Sequence, residues 1–207
     1  MSIVADYLYT DHHGRPVIRK IRREPKGFRM YAARYKGDRL YWKTGVQRWQ
    51  PEWAEKALFN LPVLLAALQA GEPVYMTEGE RDAEAFSSLQ KLPVTTNWQG
   101  AGKFTREQAE WFLWGGGRSD ITIFLDRDDA GHFAAWQRYS LLVGVGVAPS
   151  RITMLRPRAT RHKDLTDVAL DGLSRSAFRP VSPRRARLGA ERYGAERAAR
   201  YTFAGTA

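Results

Sequence analysis

The 207-residue chain contains no cysteine. That excludes disulfides, thiolate zinc sites and thiol catalysis, and it suits a reducing, cytoplasmic setting. Long apolar runs are missing as well. The longest, Leu61 to Leu68, is interrupted by Pro62 and falls far short of the roughly 20 residues a membrane helix needs. No membrane association is therefore expected, and the N-terminus lacks the apolar core of a secretion signal. The one histidine pair, His12-His13, sits in the turn-like stretch Asp11 to Gly14 with no further His at ligand spacing, so an exposed loop is expected there. A Walker-type nucleotide loop is also absent. Gly100-Ala101-Gly102-Lys103 has Asn97 where the motif needs its first glycine and Phe104 where it needs Ser or Thr.

What the chain has in excess is positive charge, and that charge is segregated. The formal net charge is +11, with +8 in residues 1–49, −3 in residues 50–173 and +6 in residues 174–207. A mildly acidic middle between two strongly basic ends suits a polyanion that must approach carboxylates. Composition and pattern divide the chain into a basic β-rich segment (1–49), a connecting helical segment (50–71), an α/β unit (72–172) and a basic tail (173–207). The tail, rich in arginine, glycine and proline, is expected to be flexible, with at most a helix near 186–200.

The first segment reads as two strand pairs, joined by turns at 11–14 and at Lys36-Gly37-Asp38. Arg29, Arg34, Lys36, Arg39 and Trp42 stand among its aromatics, a mixture suited to phosphate contacts and base stacking. Asn60 ahead of Pro62 is expected to cap a helix ending at Gly71. Beyond it the pattern alternates: strands at 74–77, 93–96, 121–125 and 151–155, with helices at about 80–90, 105–115, 129–143 and 165–170. Thr105 and Gln108 have capping-box spacing. Such alternation predicts an α/β fold whose mostly parallel four-stranded sheet is flanked by helices.

Two of these strands end at carboxylates. Val74 to Thr77 runs into Glu78-Gly79-Glu80-Arg81-Asp82, and Ile121 to Leu125 runs into Asp126-Arg127-Asp128-Asp129-Ala130-Gly131. In open α/β sheets, loops at the carboxyl ends of strands line the ligand crevice. Clustered carboxylates repel unless a cation joins them, and oxygen-only donors suit a hard ion, Mg2+ or Mn2+. Helix N-capping is the structural use of the same acids. The loop with Gly100, Gly102 and Lys103 could cradle a phosphate with backbone N–H groups, with Arg127 as a further phosphate ligand.

The spacing of Glu78, Gly79 and Asp82 against Asp126, Asp128 and Gly131 resembles the Toprim domain over roughly residues 72–172. Asp164 and Asp167, in Lys163-Asp164-Leu165-Thr166-Asp167, look like the extra acidic motif of the primase branch, with one residue more between the acids. Tyr7-Leu8-Tyr9-Thr10-Asp11 and Arg23-Glu24-Pro25-Lys26-Gly27-Phe28-Arg29 are similar to segments of the Toprim primases of phages and mobile elements. That resemblance implies a primase-type nucleotidyltransferase making RNA primers on single-stranded DNA from nucleoside triphosphates. Glu78, Asp126 and Asp128 would be catalytic and metal-binding, with Asp82, Asp164 and Asp167 assisting. A separate helicase is the implied partner. A Toprim nuclease and a noncatalytic nucleic-acid-binding accessory protein are the alternative readings.

Overall fold

The structure, a computed structural model, describes residues 2–90, 92–159, 161, 165–170 and 175–204. Four strands, β1 (Ser2–Thr10), β2 (Pro16–Glu24), β3 (Gly27–Lys36) and β4 (Arg39–Thr44), form an antiparallel meander in sequence order. Its inward face carries Tyr7, Tyr9, Ile18 and Ala32, all buried. Tyr7 and Tyr9 meet Phe59 edge-on at centroid distances of 6.0 and 5.6 Å, the geometry favoured by ring quadrupoles. Helices α1 (Val46–Trp49), α2 (Pro51–Lys56) and α3 (Leu61–Ala70) connect the meander to the second sheet.

The second sheet contains β5 (Val74–Met76), β6 (Val94–Thr95), β7 (Ile121–Phe124), β8 (Ile152–Pro157) and β9 (Phe178–Pro180), in the order β6-β5-β7-β8-β9. The four strands expected from the sequence are mutually parallel. To these the structure adds β9, which runs antiparallel along β8. Helices α4 (Glu80–Gln90), α5 (Arg106–Glu110), α6 (Asp129–Val145) and α7 (Leu165–Leu170) intervene in the chain. One core, with Met76, Ile121, Ile123 and Met154, packs against α3, α5 and α6. The other, with Phe86, Phe124 and Phe178, is continuous with the aromatic face of the meander. The connection after β5 leads to β6 on one side, while β7 lies on its other side. The crevice between β5 and β7 is therefore the topological switch point of this sheet.

Local signals fared differently. The capping box is present: Thr105 Oγ1 accepts the Gln108 N–H, and Gln108 Oε1 accepts the Thr105 N–H. Asn60 does not cap α3 through its side chain. It adopts a left-handed backbone (φ 56°), and its Nδ2 donates instead to the Val94 carbonyl of β6.

In the basic C-terminal stretch the helix is longer than the 186–200 segment the sequence allowed. It is α8 (Pro183–Ala204), with Ala186 and Ala190 buried. Small residues allow close approach to α6: a Cβ on Gly189 would lie 2.5 Å from His132 Cβ. The Phe133 and Tyr193 rings meet at a tilt, 5.3 Å between centroids, and Arg192 pairs with Asp129 at 2.7 Å. A flexible tail was expected because alanine, glycine and arginine carry little apolar signal. Close backbone packing needs no large side chains. Gly189→Val should therefore detach α8, costing about 1–3 kcal/mol from the forced overlap. Limited trypsin digestion checks this: the variant should be clipped within 184–192 while the wild type is protected there.

Candidate active site

Glu78 lies just beyond β5, and Asp126 just beyond the neighbouring strand β7. Glu78 Oε1 accepts the Asp126 N–H at 3.0 Å, so the two loops are joined by the acid itself. Asp128 has an extended backbone and caps α6, its Oδ1 accepting the Gly131 N–H at 2.8 Å. The N-cap use of this residue is thus realised together with its place at the site. Asp82, in the first turn of α4, accepts the Thr166 N–H at 3.1 Å and the Thr166 hydroxyl. Glu78, Asp82 and Asp126 line one small pocket with Thr77 and Leu165.

Burial pushes the Glu78 carboxyl above its ordinary value. The Asp126 N–H and the Arg138 guanidinium oppose that shift, while the negative charges of Asp128 and Asp82 add to it. These acids are thus close enough to repel one another. A carboxyl raised in the folded state is favoured in its protonated form. Its stabilising effect is complete below the unfolded value and is lost as pH rises through the folded one. In chelator-containing buffer, Glu78→Gln should therefore be more stable than wild type at pH 8, with the difference vanishing toward pH 4. Urea denaturation at the two pH values measures this. Equal stability throughout would mean that Glu78 carries no ionisation strain.

Sequence reasoning missed two groups. Arg138, on α6, is fully buried. Its Nη2 donates to Asn97 Oδ1 at 2.9 Å, and burial lowers its pKa against the pull of Glu78 and Asp126. It stands among Gly131, Ala134, Ala135 and Leu142 on the buried face of α6, a helical spacing that could have flagged a cation beneath the carboxylates. The second group is a polar cluster linking the two sheets. Glu80 Oε1 accepts from Tyr9 Oη at 2.5 Å and from Lys20 Nζ at 2.6 Å, and Lys20 also donates to the Trp98 carbonyl at 2.9 Å. Lys20 and Glu80 are buried. Burial, followed by the nearby Glu80 charge, raises the Tyr9 phenol well above its ordinary value.

The remaining expected residues are distributed more widely. Gly100, Gly102 and Lys103 follow β6 at the same carboxyl edge. Thr96, just ahead of them, donates its hydroxyl to the Glu78 carbonyl at 3.1 Å. Gly102 has φ +72° and abuts Phe133, so packing alone accounts for that glycine. Lys103 is exposed. Arg127 donates to the carbonyls of Arg158 and Ala159. Lys163 and Asp164 lie outside the described residues, as does the Asp167 side chain.

Strand pairing separates the meander set. Arg29 and Trp42 belong to the outer face, where Arg19 lies over the Trp42 ring. Arg34 belongs to the opposite face, donating to the Trp49 carbonyl at 3.4 Å and lying over that ring. Lys36 and Arg39 face each other at the tip of the β3–β4 hairpin.

Among the described residues, no three acidic or histidine side chains are already gathered as a metal cage. The donor set nevertheless fits a hard divalent ion in kind. It consists of oxygens, and burial together with the charges of Asp128 and Asp82 disfavours the ionised Glu78, a penalty such an ion would offset. Among the described residues, no helix is long and apolar enough to cross a membrane.

No protein-family model and no curated protein matches this sequence. Solved structures do match. The primase fragment of the bacteriophage T7 primase-helicase protein aligns with 81% of this chain and 58% of its own, at 21% identity and a TM-score of 0.53. A DNA primase domain from Pseudomonas aeruginosa aligns with 84% of this chain and 51% of its own, at 13% identity and a TM-score of 0.56. A DnaG primase catalytic domain bound to single-stranded DNA aligns with 83% of this chain and 49% of its own, at 11% identity and a TM-score of 0.53. The fold is that of primase catalytic domains. The chain spans between about half and three fifths of these three structures.

Proposed function

We propose that this chain is a Toprim primase-type nucleotidyltransferase, of the sort used by phages and mobile elements, which makes short RNA primers on single-stranded DNA. One observation carries the reading. Glu78 and Asp126, bonded to each other at 3.0 Å, occupy the switch point of a primase-like sheet, with Asp128 and Asp82 close enough to repel Glu78.

In this reading Glu78, Asp126 and Asp128 hold magnesium, with Asp82, Asp164 and Asp167 assisting. The bound ion would neutralise triphosphate charge and stabilise the departing pyrophosphate. The attacking 3′-hydroxyl loses its proton as its oxygen bonds to the α-phosphorus. Glu78, whose proton affinity burial raises, is the group suited to relay it. Arg138 holds Asn97, and with it the start of the Gly100–Lys103 loop, against the carboxylates. That loop and Arg127 are the phosphate ligands of this reading. The meander (1–49) holds template through Arg29, Arg34, Lys36, Arg39 and Trp42, residues 72–172 are the catalytic unit, and duplex unwinding falls to a separate helicase.

The test incubates the chain with single-stranded DNA, labelled ribonucleotides and magnesium or manganese, beside Asp126→Asn/Asp128→Asn. New short oligonucleotides from the wild type alone are expected. Shortening of the DNA without synthesis would sink the primase reading in favour of a nuclease.

A further inference from the structure

Arg156 on β8 pairs directly with Arg179 on β9. Like charges opposite one another weaken an antiparallel pair, and one member of this pair is shut away from water. Arg156 is only 5% exposed, and the Nε atoms of both arginines are buried with no acceptor among the described residues. The surroundings add more positive charge. Arg156 points to the same side of the sheet as Met154, where α6 and α8 pack. Arg185 lies in the first turn of α8, and Arg127 is tied to the end of β8 through the Arg158 and Ala159 carbonyls. Burial first, then the charges of Arg179, Arg185 and Arg127, disfavour the charged form of Arg156.

Among the described residues, no carboxylate pairs with Arg156, Arg179 or Arg185. Desolvated donors and uncompensated like charges cost free energy unless an anion meets them. Planar guanidinium forks from several elements match the oxygens of a phosphate.

We propose that Arg127, Arg156, Arg179 and Arg185 form a phosphate-binding site on the β8–β9 edge, taking either the backbone of a nucleic-acid strand or a polyphosphate. The site depends on the proposed function only through Arg127, which stands between Asp126 and Asp128. Anion binding itself needs neither metal nor turnover.

The test uses the full chain in chelator, with sodium tripolyphosphate or a short single-stranded oligodeoxynucleotide as probe. Sodium chloride of equal ionic strength is the control. Tripolyphosphate should raise the wild-type Tm beyond the chloride effect. Arg156→Gln/Arg179→Gln should lose that excess, as should the milder Arg179→Gln in large part, while Arg106→Gln, at an exposed arginine of α5, keeps it. Folding of the variants is read from their ligand-free melts, which should not fall, because repulsion has been removed. If the strand is the ligand, the double variant binds the oligodeoxynucleotide with a salt slope reduced by roughly 0.7 per lost arginine contact. If a polyphosphate is the ligand, only the tripolyphosphate effect is lost. No excess over chloride in the wild type, or an undiminished excess in the double variant, overturns the proposal. Failure of primer synthesis leaves this result untouched, since the assay contains no metal and no substrate turnover.

Discussion

Gly131→Ala should abolish the primer synthesis proposed for the carboxylate site while the chain stays folded. A Cβ at this position would lie 2.7 Å from the Asp126 carbonyl oxygen, 2.7 Å from Glu78 Oε1 and 2.8 Å from the Asp126 nitrogen. Two of those atoms are backbone and the third is the acid that joins the two loops, so no single rotamer change relieves the overlap. The methyl group must push Glu78 away from the Asp126 N–H or tilt the start of α6, moving Asp128 with it. Overpacking of this kind costs about 1–3 kcal/mol. Displacing a reacting group by about 1 Å costs on the order of 100-fold in rate. Primer synthesis and a thermal melt, measured together, check both effects. Gly144→Ala is the control: it lies in the same helix with nothing within 4 Å of its added Cβ, and it should gain about 0.5–1 kcal/mol. An active Gly131→Ala protein would show that the Glu78–Asp126 contact is not part of the working arrangement.

Lys20→Met should be strongly destabilising. Lys20 and Glu80 form a buried ion pair at 2.6 Å, with side-chain exposures of 7% and 5%. Removing one partner leaves the other charged and desolvated, at about 3–5 kcal/mol. Adding Glu80→Gln removes the stranded charge but keeps an oxygen that accepts from Tyr9. The double variant should recover most of the loss, because replacing both members of a buried pair is often nearly neutral. Urea unfolding of the single and double variants measures the coupling. A Lys20→Met penalty near zero would mean that the pair is solvated in solution.

How much of this was legible in the sequence depended on the range of the interaction. Glu78, Asp126 and Asp128 could be placed because short apolar runs stop abruptly at them, and parallel strands bring such ends to one edge. The Thr105–Gln108 box was readable because both bonds span three residues. Asn60 misled for a related reason. Its sequence context offers a cap, but the neighbouring strand β6 competes for the same amide, and that neighbour is 34 residues away. Tyr9, Lys20 and Glu80 meet across 60 to 71 residues, and nothing local marks a lysine on an inward strand face. Strand β9 spans only three residues, ends in proline and exists by pairing with β8. The docking of α8 rests on the small side chains of Ala186, Gly189 and Ala190, which read as weak helix or linker.

The Lys20–Glu80 pair has a kinetic consequence. The meander pairs only neighbouring strands through short turns, so its loops close at little entropic cost, whereas the parallel sheet must wait for helical crossovers. Lys20 therefore belongs to a part of the chain that can form early, and Glu80 to a part that assembles late. An ion pair completed after the rate-limiting step stabilises the native state without stabilising the barrier. In a chevron analysis, the Lys20→Met penalty should fall on the unfolding limb. Tyr9, Lys20 and Glu80 would then set how long the two sheets stay together, rather than how quickly either one forms.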